Sequence, residues 1–549
     1  MSSSDLFLGV DVGTGSARAG LFDENGRLKA TAKRPIRIWR EPGEIVEQSS
    51  ADIWQAVCES VREALALSGA GPADVRGIGF DATCSLVVLD EAGRSLAVGP
   101  SGDPARDIIV WMDHRAIEQA ERINATGHPV LRYVGGRISP EMETPKLLWL
   151  KENRPDTFHK AAHFFDLADF LSWRATGSPE RSVCTLTCKW TYLAHEGRWD
   201  ESYFRRIGLE ELADEDFRRI GQRVLDVARP VGAGLSEAAA AELGLRAGTP
   251  VGAPLIDAHA GGVGTVAGSG ADLALIMGTS ACAMATTADA RFVGGVWGPY
   301  YGAMLPGTWL LEGGQSAYGA ALDHVVASHP AFPAMREAAE QAGRGVLDHL
   351  EMRAVEMAGS VEEAARLAGA LHVVPDHLGN RAPRADPHAT AVVSGLTLAS
   401  GEDDLVRLFV ATLCGLCYGT RDIVEAMGRK GVALERIVVS GGAARSALLR
   451  RILADATKLA VALPETAEPV LLGSAMLGAV ASGARGDLGE AAARMCRVEE
   501  TIVPAGGEMG RFHDAKHEAY RALQAAEVAA RDAMRRIAGV PGAAGSPEA

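Results

Sequence analysis

The sequence predicts an α/β protein whose two halves follow a similar order of elements. The first half starts with apolar strands at 6–10 and 17–22, joined by a turn of glycine, threonine and serine. The second half starts in the same way, with strands at 273–277 and 281–286 around a second such turn. Farther along, each half places a helix before a strand that ends in a polar turn. This weak internal duplication predicts two related domains.

The other elements of the first half each have a local signal. A turn at 23–26 is followed by a third strand at 28–35, so the chain begins with three successive antiparallel strands. Apolar residues at helical spacing then predict a helix over 50–67. The next strand, 75–80, ends at the polar segment 81–85.

The second half is richer in helix. Apolar periodicity predicts helical structure over 333–367 and 401–427. A strand at 437–439 follows and ends in the polar turn 440–445. This order, helix then strand then polar turn, matches the order in the first half.

The border between the halves is expected near 261–271, where five glycines occur in eleven residues. Such a stretch is typical of a hinge, and a glycine-containing helix is the alternative. We therefore expect an N-terminal domain over 1–265 and a C-terminal domain over 266–510. The remainder, 511–549, should form a C-terminal helix that ends in a disordered tail of small residues and proline.

Composition and charge exclude several classes of protein. The chain has 549 residues, 47% hydrophobic and 23% charged, which rules out a disordered, collagen-like or disulfide-scaffolded chain. Its 55 basic and 70 acidic residues give a net charge of −15, which argues against nucleic-acid binding. No secretory signal begins the chain, and the apolar run 470–484 is shorter than the ~20 residues that span a membrane. We expect a soluble cytoplasmic protein without a membrane partner.

The eight cysteines are few for this length. Cys414 and Cys417 form a C-x-x-C pair, but they lie in a predicted helix and share one of its faces. This favours buried structural thiols, with a redox or metal pair as the alternative.

The first polar turn has the composition of a phosphate-binding loop. Glycine lets a backbone approach a phosphate closely, hydroxyls donate to it, and successive turn amides can form an anion-binding nest. The candidate phosphate-binding residues are Asp11, Gly13, Thr14, Ser16 and Arg18. Asp11 would repel phosphate unless a cation intervened, and Mg²⁺ held through water is the natural one. An ordinary hairpin turn is the alternative interpretation.

Two further turns offer similar donors. Gly278, Thr279 and Ser280 form the second-half counterpart of the first turn, and the pair suits a phosphate chain held between two domains. The turn after the strand at 437–439 opens a helix, where a nucleotide could bind at the helix N-terminus. Its candidate residues are Gly441, Gly442, Ala443 and Ser446. A simple strand-to-helix loop is the alternative for this third turn.

Asp257 is the candidate catalytic residue. An apolar strand ends at this position and a helix begins, so the carboxylate could take a proton from a substrate hydroxyl. It could equally serve as a helix N-cap. Nearby His259 is interpreted as a packing or hydrogen-bonding residue.

Two clusters have the character of a sugar-binding surface. The segment 111–115 combines Trp111 with the polar Asp113, and the segment 311–316 places Glu312 in a tight turn. Polyols are held by such polar groups, often beside an aromatic face. A solvated turn remains the alternative for each cluster.

Taken together, these motifs resemble the FGGY family of carbohydrate kinases, in order, over roughly residues 5–500. The first and second phosphate turns match the family's motifs. The third turn resembles its adenosine site, although Ala443 stands where a third glycine is frequent. Glu468, followed by the segment 472–478, is similar to the family's closing helix near adenine.

The resemblance implies two ribonuclease H-like domains of the actin-like ATPase type, with a cleft between them. It implies ATP-dependent phosphorylation of a small-molecule sugar or polyol, with Asp257 as general base. Asp11 and Asp257 would hold Mg²⁺, directly or through water. It also makes a homodimer a reasonable expectation.

The sugar is suggested by finer likenesses. The segment 81–85, with Thr83, looks like the D-x-T turn of ribulokinases, and Lys189 and Glu312 resemble their substrate lysine and glutamate. The likeness is greatest to the pentulose kinases that act on D-ribulose. L-ribulose and ribitol kinases are the near alternatives. From another class, an actin-like ATP-dependent binding or regulatory protein is the alternative.

Overall fold

A computed structural model describes residues 5–265 and 270–538 of the chain. The predicted disordered tail at 538–549 lies outside the described residues except for Ala538, which ends a helix, and residues 266–269 of the predicted hinge also lie outside them. No helix of the described segments combines the length and the apolar character that a membrane crossing requires.

Strands occur throughout both halves. In chain order they are β1 (Leu6–Val12), β2 (Ser16–Asp23), β3 (Leu28–Pro35), β4 (Trp39–Glu41), β5 (Ile45–Gln48), β6 (Val75–Ala82), β7 (Leu86–Leu89), β8 (Ile108–Ile109), β9 (His163–Asp166), β10 (Arg181–Ser182), β11 (Val224–Leu225), β12 (Val251–Ile256), β13 (Asp272–Met277), β14 (Ala281–Thr287), β15 (Trp297–Tyr301), β16 (Trp309–Gln315), β17 (His372–Val374), β18 (Val392–Ser394), β19 (Arg436–Ser440), β20 (Ala460–Pro464) and β21 (Val498–Ile502).

Helices separate and cover these strands. They are α1 (Ser50–Ser68), α2 (Ile117–Ala125), α3 (Glu143–Asn153), α4 (Pro155–Lys160), α5 (Leu167–Thr176), α6 (Val183–Lys189), α7 (Glu201–Ile207), α8 (Glu210–Asp214), α9 (Glu237–Leu243), α10 (Asp257–Thr265), α11 (Gly319–Ala327), α12 (Phe332–Gln341), α13 (Val346–Ala358), α14 (Glu402–Arg429), α15 (Ala447–Thr457), α16 (Pro469–Ala481), α17 (Leu488–Met495) and α18 (Gly507–Ala538). Short 3₁₀ helices occupy Pro129–Val134, Ala364–Ala368 and Gly442–Arg445.

Two main sheets repeat one topology. The first has the order β12-β6-β1-β2-β3, with β2 antiparallel and β6 parallel to β1. The second has the order β15-β16-β14-β13-β19-β20-β21, with β14 antiparallel and β19 parallel to β13. The predicted duplication is confirmed, because each half builds a hairpin and then adds a parallel strand beside its first strand.

Burial explains why the sequences of these strands are nearly continuous runs of apolar residues. All seven residues of β1 are buried, as expected for a strand covered on both faces. One core lies between the first sheet and helices α1, α5 and α9, and another lies between the second sheet and helices α14 and α15. Cys414 and Cys417 are buried free thiols in the second core, as the helical interpretation expected.

Helix α16 crosses from the second half to pack on the first sheet. It contacts β1, β2, β6 and β12. The strands present glycines to it: a Cβ atom at Gly9 would overlap the Leu471 carbonyl, and one at Gly79 would overlap the Ser474 carbonyl. The helix backbone therefore lies directly on the strand backbones, which only glycine permits. We call this surface the glycine face, formed by Gly9, Gly77, Gly79 and Gly252.

The glycine-rich stretch at the expected border is helical as far as it is described. Gly261, Gly262 and Gly264 belong to α10, which packs against α16. Gly264 is required by this packing, because a Cβ atom there would overlap the Pro469 carbonyl. The helical alternative therefore describes 257–265 better than a hinge does.

Candidate active site

Three carboxylates meet at one edge of the first sheet. β1 and β6 pair in parallel with Asp11 opposite Asp81, and β12 pairs with β6 so that Asp257 follows at the same edge. Because the carboxyl ends of parallel strands lie together, this edge is the usual place for a ligand site. Asp11 and Asp81 are 1% and 0% exposed, whereas Asp257 is partly accessible at the first residue of α10.

Burial and mutual repulsion shape the protonation of this acidic edge. Burial, followed by the neighbouring carboxylate of Asp11, raises the pKa of Asp257 to about 6. The same two causes raise the pKa of Asp81 well above its usual range. Asp81 accepts a short hydrogen bond from Ser474 in α16, and its Oδ1 atom is buried with no partner among the described residues. The edge thus holds a carboxylate poised to accept a proton near neutral pH.

Each half contributes one accessible polar turn to its hairpin. The Gly13 N–H donates to Ser16 O at 3.1 Å, and the Gly278 N–H donates to Ser280 O at 2.9 Å. The same type of backbone hydrogen bond therefore closes both turns, one at the end of β1 and the other at the end of β13. Thr14 and Thr279 lie on these turns and are accessible to solvent.

The third turn lies beside the second. β19 pairs in parallel with β13, which places the turn after Ser440 next to Met277. Gly441 adopts a left-handed φ of 89°, and a Cβ atom there would overlap the Met277 carbonyl. Gly442 and Ala443 begin a 3₁₀ turn, and the Ser446 hydroxyl caps α15 by accepting the Leu449 N–H at 3.0 Å.

Arg18 joins the two halves. It makes a short ion pair with Asp11, its partner across the β1–β2 hairpin, and donates to Glu468 Oε2 at 2.8 Å. Glu468 precedes α16, so two residues predicted at the nucleotide contact each other in this structure. The pairing also fixes the start of α16 beside the acidic edge.

The residues predicted to bind the sugar lie within a second cluster of charged side chains. Glu312 in β16 accepts from Arg381 Nη2 at 2.5 Å and lies 3.4 Å from His259 Nε2. Although burial opposes ionisation, His259 and Arg381 hold the pKa of Glu312 well below its usual range. Lys189, 5% exposed, places Nζ 4.8 Å from the centre of the Trp297 ring.

The Lys189 ammonium has unused hydrogen-bonding capacity. Its Nζ donates no hydrogen bond to any residue of 5–265 or 270–538. Its electrostatic neighbours include Glu312, Tyr300 and Glu141. A buried cation beside acidic groups, with free donors, is suited to hold the hydroxyl or carbonyl oxygens of a polar ligand.

Trp111 and Thr83 belong to a polar chain that links the segment after β6 to the first turn. The Trp111 indole N–H donates to Thr14 Oγ1 at 3.0 Å, and its backbone N–H donates to Ser85 Oγ at 3.1 Å. Ser85 Oγ lies 3.2 Å from Thr83 Oγ1. This chain couples the position of the first turn to the segment after β6.

Asp113 occupies a different place from the one expected for a substrate contact. Its carboxylate is fully buried, pairs with Arg115 at 2.7 Å and accepts the Val46 N–H at 2.6 Å. Both oxygens are engaged within the protein because Arg115 follows two residues later and turns back onto it. These contacts give Asp113 a structural role in the wall, and its contact with the sugar stays a prediction.

Several residues of the site escaped the sequence reasoning. The sequence around Asp81 indicates only the start of a turn, because the pairing of Asp81 with Asp11 depends on strand register. Arg381 and Trp297 belong to no motif and come from distant segments. Arg381 lies 4.2 Å from the Trp297 ring, so the two side chains pack together beside Glu312.

Family models match nearly the whole chain. The N-terminal domain of the FGGY family of carbohydrate kinases matches residues 6–264, and its C-terminal domain matches residues 273–482. An FGGY carbohydrate kinase domain-containing protein of Danio rerio is 47% identical over 534 residues, covering 94% of this chain and 97% of that protein. A D-ribulokinase of Saccharomyces cerevisiae is 39% identical over 513 residues, covering 87% of this chain and 72% of that protein.

Solved structures share the fold. A xyloylose kinase from Brucella ovis superposes with a TM-score of 0.80 at 22% identity, covering 95% of this chain and 99% of that one. Plasmodium falciparum glycerol kinase with ADP gives a TM-score of 0.77 at 14% identity, with 95% and 98% coverage. The predicted pair of actin-like domains is thereby confirmed. With both family domains matched in order, the chain belongs to the FGGY family of carbohydrate kinases.

Proposed function

We propose that this protein transfers the γ-phosphoryl group of ATP to a pentulose, converting D-ribulose to D-ribulose 5-phosphate. The observation that carries the proposal is the buried Lys189 ammonium with free donors beside Glu312. The 39% identity to a yeast D-ribulokinase supports the choice of sugar. L-ribulose and ribitol are the near alternatives.

In this proposal Asp257 is the general base. Its pKa of about 6 leaves it ionised at neutral pH while keeping it basic enough to take a proton from the attacking hydroxyl. Lys189 and Glu312 would bind the sugar oxygens and orient that hydroxyl. Arg381 and His259 would keep Glu312 ionised and fixed in place.

The three turns and the acidic edge would hold Mg²⁺ and ATP. Carboxylate oxygens are the ligands that Mg²⁺ prefers, and the buried Oδ1 of Asp81, which has no hydrogen-bond partner among the described residues, supports a further partner at this edge. Asp11 and Asp257 would hold the ion, directly or through water. The bound ion would neutralise charge on the transferring phosphoryl group. Accessible amides and hydroxyls of Thr14, Thr279 and the turn at 441–443 would bind the phosphates.

The pH dependence of the reaction follows from the raised pKa of Asp257. A base acts only when it is deprotonated, so kcat/KM for the sugar should fall on the acid side of about pH 6. The loss should approach tenfold per pH unit below that value. The measurement is initial ADP release from pH 4.5 to 8 at saturating Mg–ATP. A profile that stays nearly flat down to about pH 4.5, as the ordinary aspartate pKa of 3.8 would give, would contradict the assignment.

The choice of sugar is tested with a substrate panel. We expect D-ribulose to exceed L-ribulose, D-xylulose, ribitol and glycerol by at least about tenfold in kcat/KM, which corresponds to ~1.4 kcal/mol. If another sugar gives the highest kcat/KM, the proposed kinase activity stands but D-ribulose is refuted as the preferred substrate. If no sugar raises ADP release above that of Asp257→Asn, a partner-driven ATPase would replace the kinase proposal.

A further inference from the structure

Two thiols and an imidazole converge in the protein interior beside the proposed sugar site. Cys184 and Cys188 lie one turn apart in α6, and His259 lies in α10. The two Sγ atoms and one ring nitrogen of His259 all lie within 4.8 Å of one another. Cys184 and Cys188 are 0% exposed and His259 is 1% exposed. The phosphoryl-transfer chemistry proposed above uses neither thiol.

The imidazole is oriented as a metal ligand would be. His259 Nδ1 lies 3.1 Å from Cys184 Sγ, while Nε2 on the opposite side of the ring faces Glu312 Oε2 at 3.4 Å. Histidine ligands in proteins direct their second ring nitrogen to a carboxylate, a backbone carbonyl or a water, which fixes the ring and makes the ligating nitrogen more basic. The Glu312 carboxylate is itself held by Arg381, so this outer contact is rigid.

The surroundings of Cys184 suit the thiolate form that a bound cation requires. The Ile256 N–H points at Cys184 Sγ at 3.4 Å, a contact that suits a thiolate. Strand β15 packs against α6 and brings Tyr300 near Cys188. The Tyr300 hydroxyl is buried and has no hydrogen-bond partner among the residues the structure describes. Three protein ligands would leave one tetrahedral position, which Tyr300 or a water could complete.

We propose that Cys184, Cys188 and His259 bind one Zn²⁺ ion that ties α6 to α10. Two thiolates and one imidazole form a donor set that zinc accepts in tetrahedral geometry, whereas Mg²⁺ and Ca²⁺ require oxygen ligands. Binding would release the protons of the two thiols. The ion would be structural. It would hold the helix that ends at Lys189 against the helix that begins at Asp257.

The test is the metal content of the full-length chain, purified without chelators under reducing conditions. We expect about one zinc per chain by mass spectrometry of the digested protein, falling at least about tenfold in Cys184→Ser and Cys188→Ser. Cys414→Ser with Cys417→Ser is the matched control, since it removes another buried helical pair and should retain the metal. Equal zinc in the Cys184 variant and in the unmodified chain would refute the site.

A second, spectroscopic measurement on the unmodified chain tests the site even if the serine variants fail to fold. The unmodified chain is stripped of metal and titrated with Co²⁺, because the absorption spectrum of bound Co²⁺ depends on its ligands. A thiolate-to-cobalt charge-transfer band that saturates at about one equivalent, and that Zn²⁺ then displaces, supports the site. The absence of this band in a folded, reduced chain overturns the proposal.

Discussion

Replacing Asp257 with asparagine should lower kcat by about a thousandfold, the scale at which a positioned general base contributes. The amide keeps the size of the side chain but accepts no proton from the sugar hydroxyl. It also removes one of three carboxylates from a crowded edge, so folding should not suffer. The measurement is ADP release under saturating sugar and Mg–ATP, with nucleotide binding followed separately by calorimetry.

The control for this substitution is Asp103→Asn, which removes a carboxylate from an exposed loop and should leave kcat unchanged. Binding of ATP to Asp257→Asn should stay within about threefold, since the three turns proposed to bind phosphate are untouched and Asp11 can still hold the proposed Mg²⁺. Turnover within tenfold of the unmodified enzyme would remove Asp257 from the role of base. Loss of ATP binding together with turnover would instead show that its contact with Mg²⁺, rather than its basicity, accounts for the loss of activity.

Replacing Gly79 with alanine should destabilise the protein by about 3 kcal/mol, at the upper end of overpacking costs. The added methyl group would overlap the Ser474 carbonyl and approach Leu477 Cβ to 2.7 Å. Neither atom can move without displacing α16 from the first sheet. Ser474 also donates to Asp81, so the displacement should reach the acidic edge and lower turnover as well.

The matched control is Gly428→Ala in α14, where an added Cβ atom has nothing within 4 Å. That change should be neutral or stabilising, because alanine has the higher helix propensity. The measurement is the urea midpoint of both variants beside their activities. A Gly79→Ala midpoint equal to that of the unmodified protein would show that α16 does not lie directly on the strand backbones.

Local signals were enough to predict the elements that frame the site. β3 spans Leu28–Pro35, as predicted, because its turns and alternation are encoded nearby. The strand-to-helix junction at Asp257 was visible for the same reason. The three polar turns also lie where their glycines and hydroxyl residues predicted them.

Contacts between distant segments could not be predicted in this way. The internal contacts of Asp113 have no local signal, because the Val46 N–H that it binds lies 67 residues away. Arg18 and Glu468 were each interpreted separately, and their ion pair spans 450 positions. Which distant residues contact each other depends on strand register and on where helices cross the sheet, and neither produces a local pattern in the sequence.

The glycine face has a consequence for how the chain is made. The first sheet is complete once β12 has been synthesised, yet its covering helix α16 ends about 225 residues later. At ~5–20 residues per second, the ribosome needs roughly 10–45 seconds to deliver that helix. During this interval the glycine face lacks the helix that covers it in the folded protein. Chaperone protection of the emerging N-terminal half should therefore govern the yield of native enzyme in the cell.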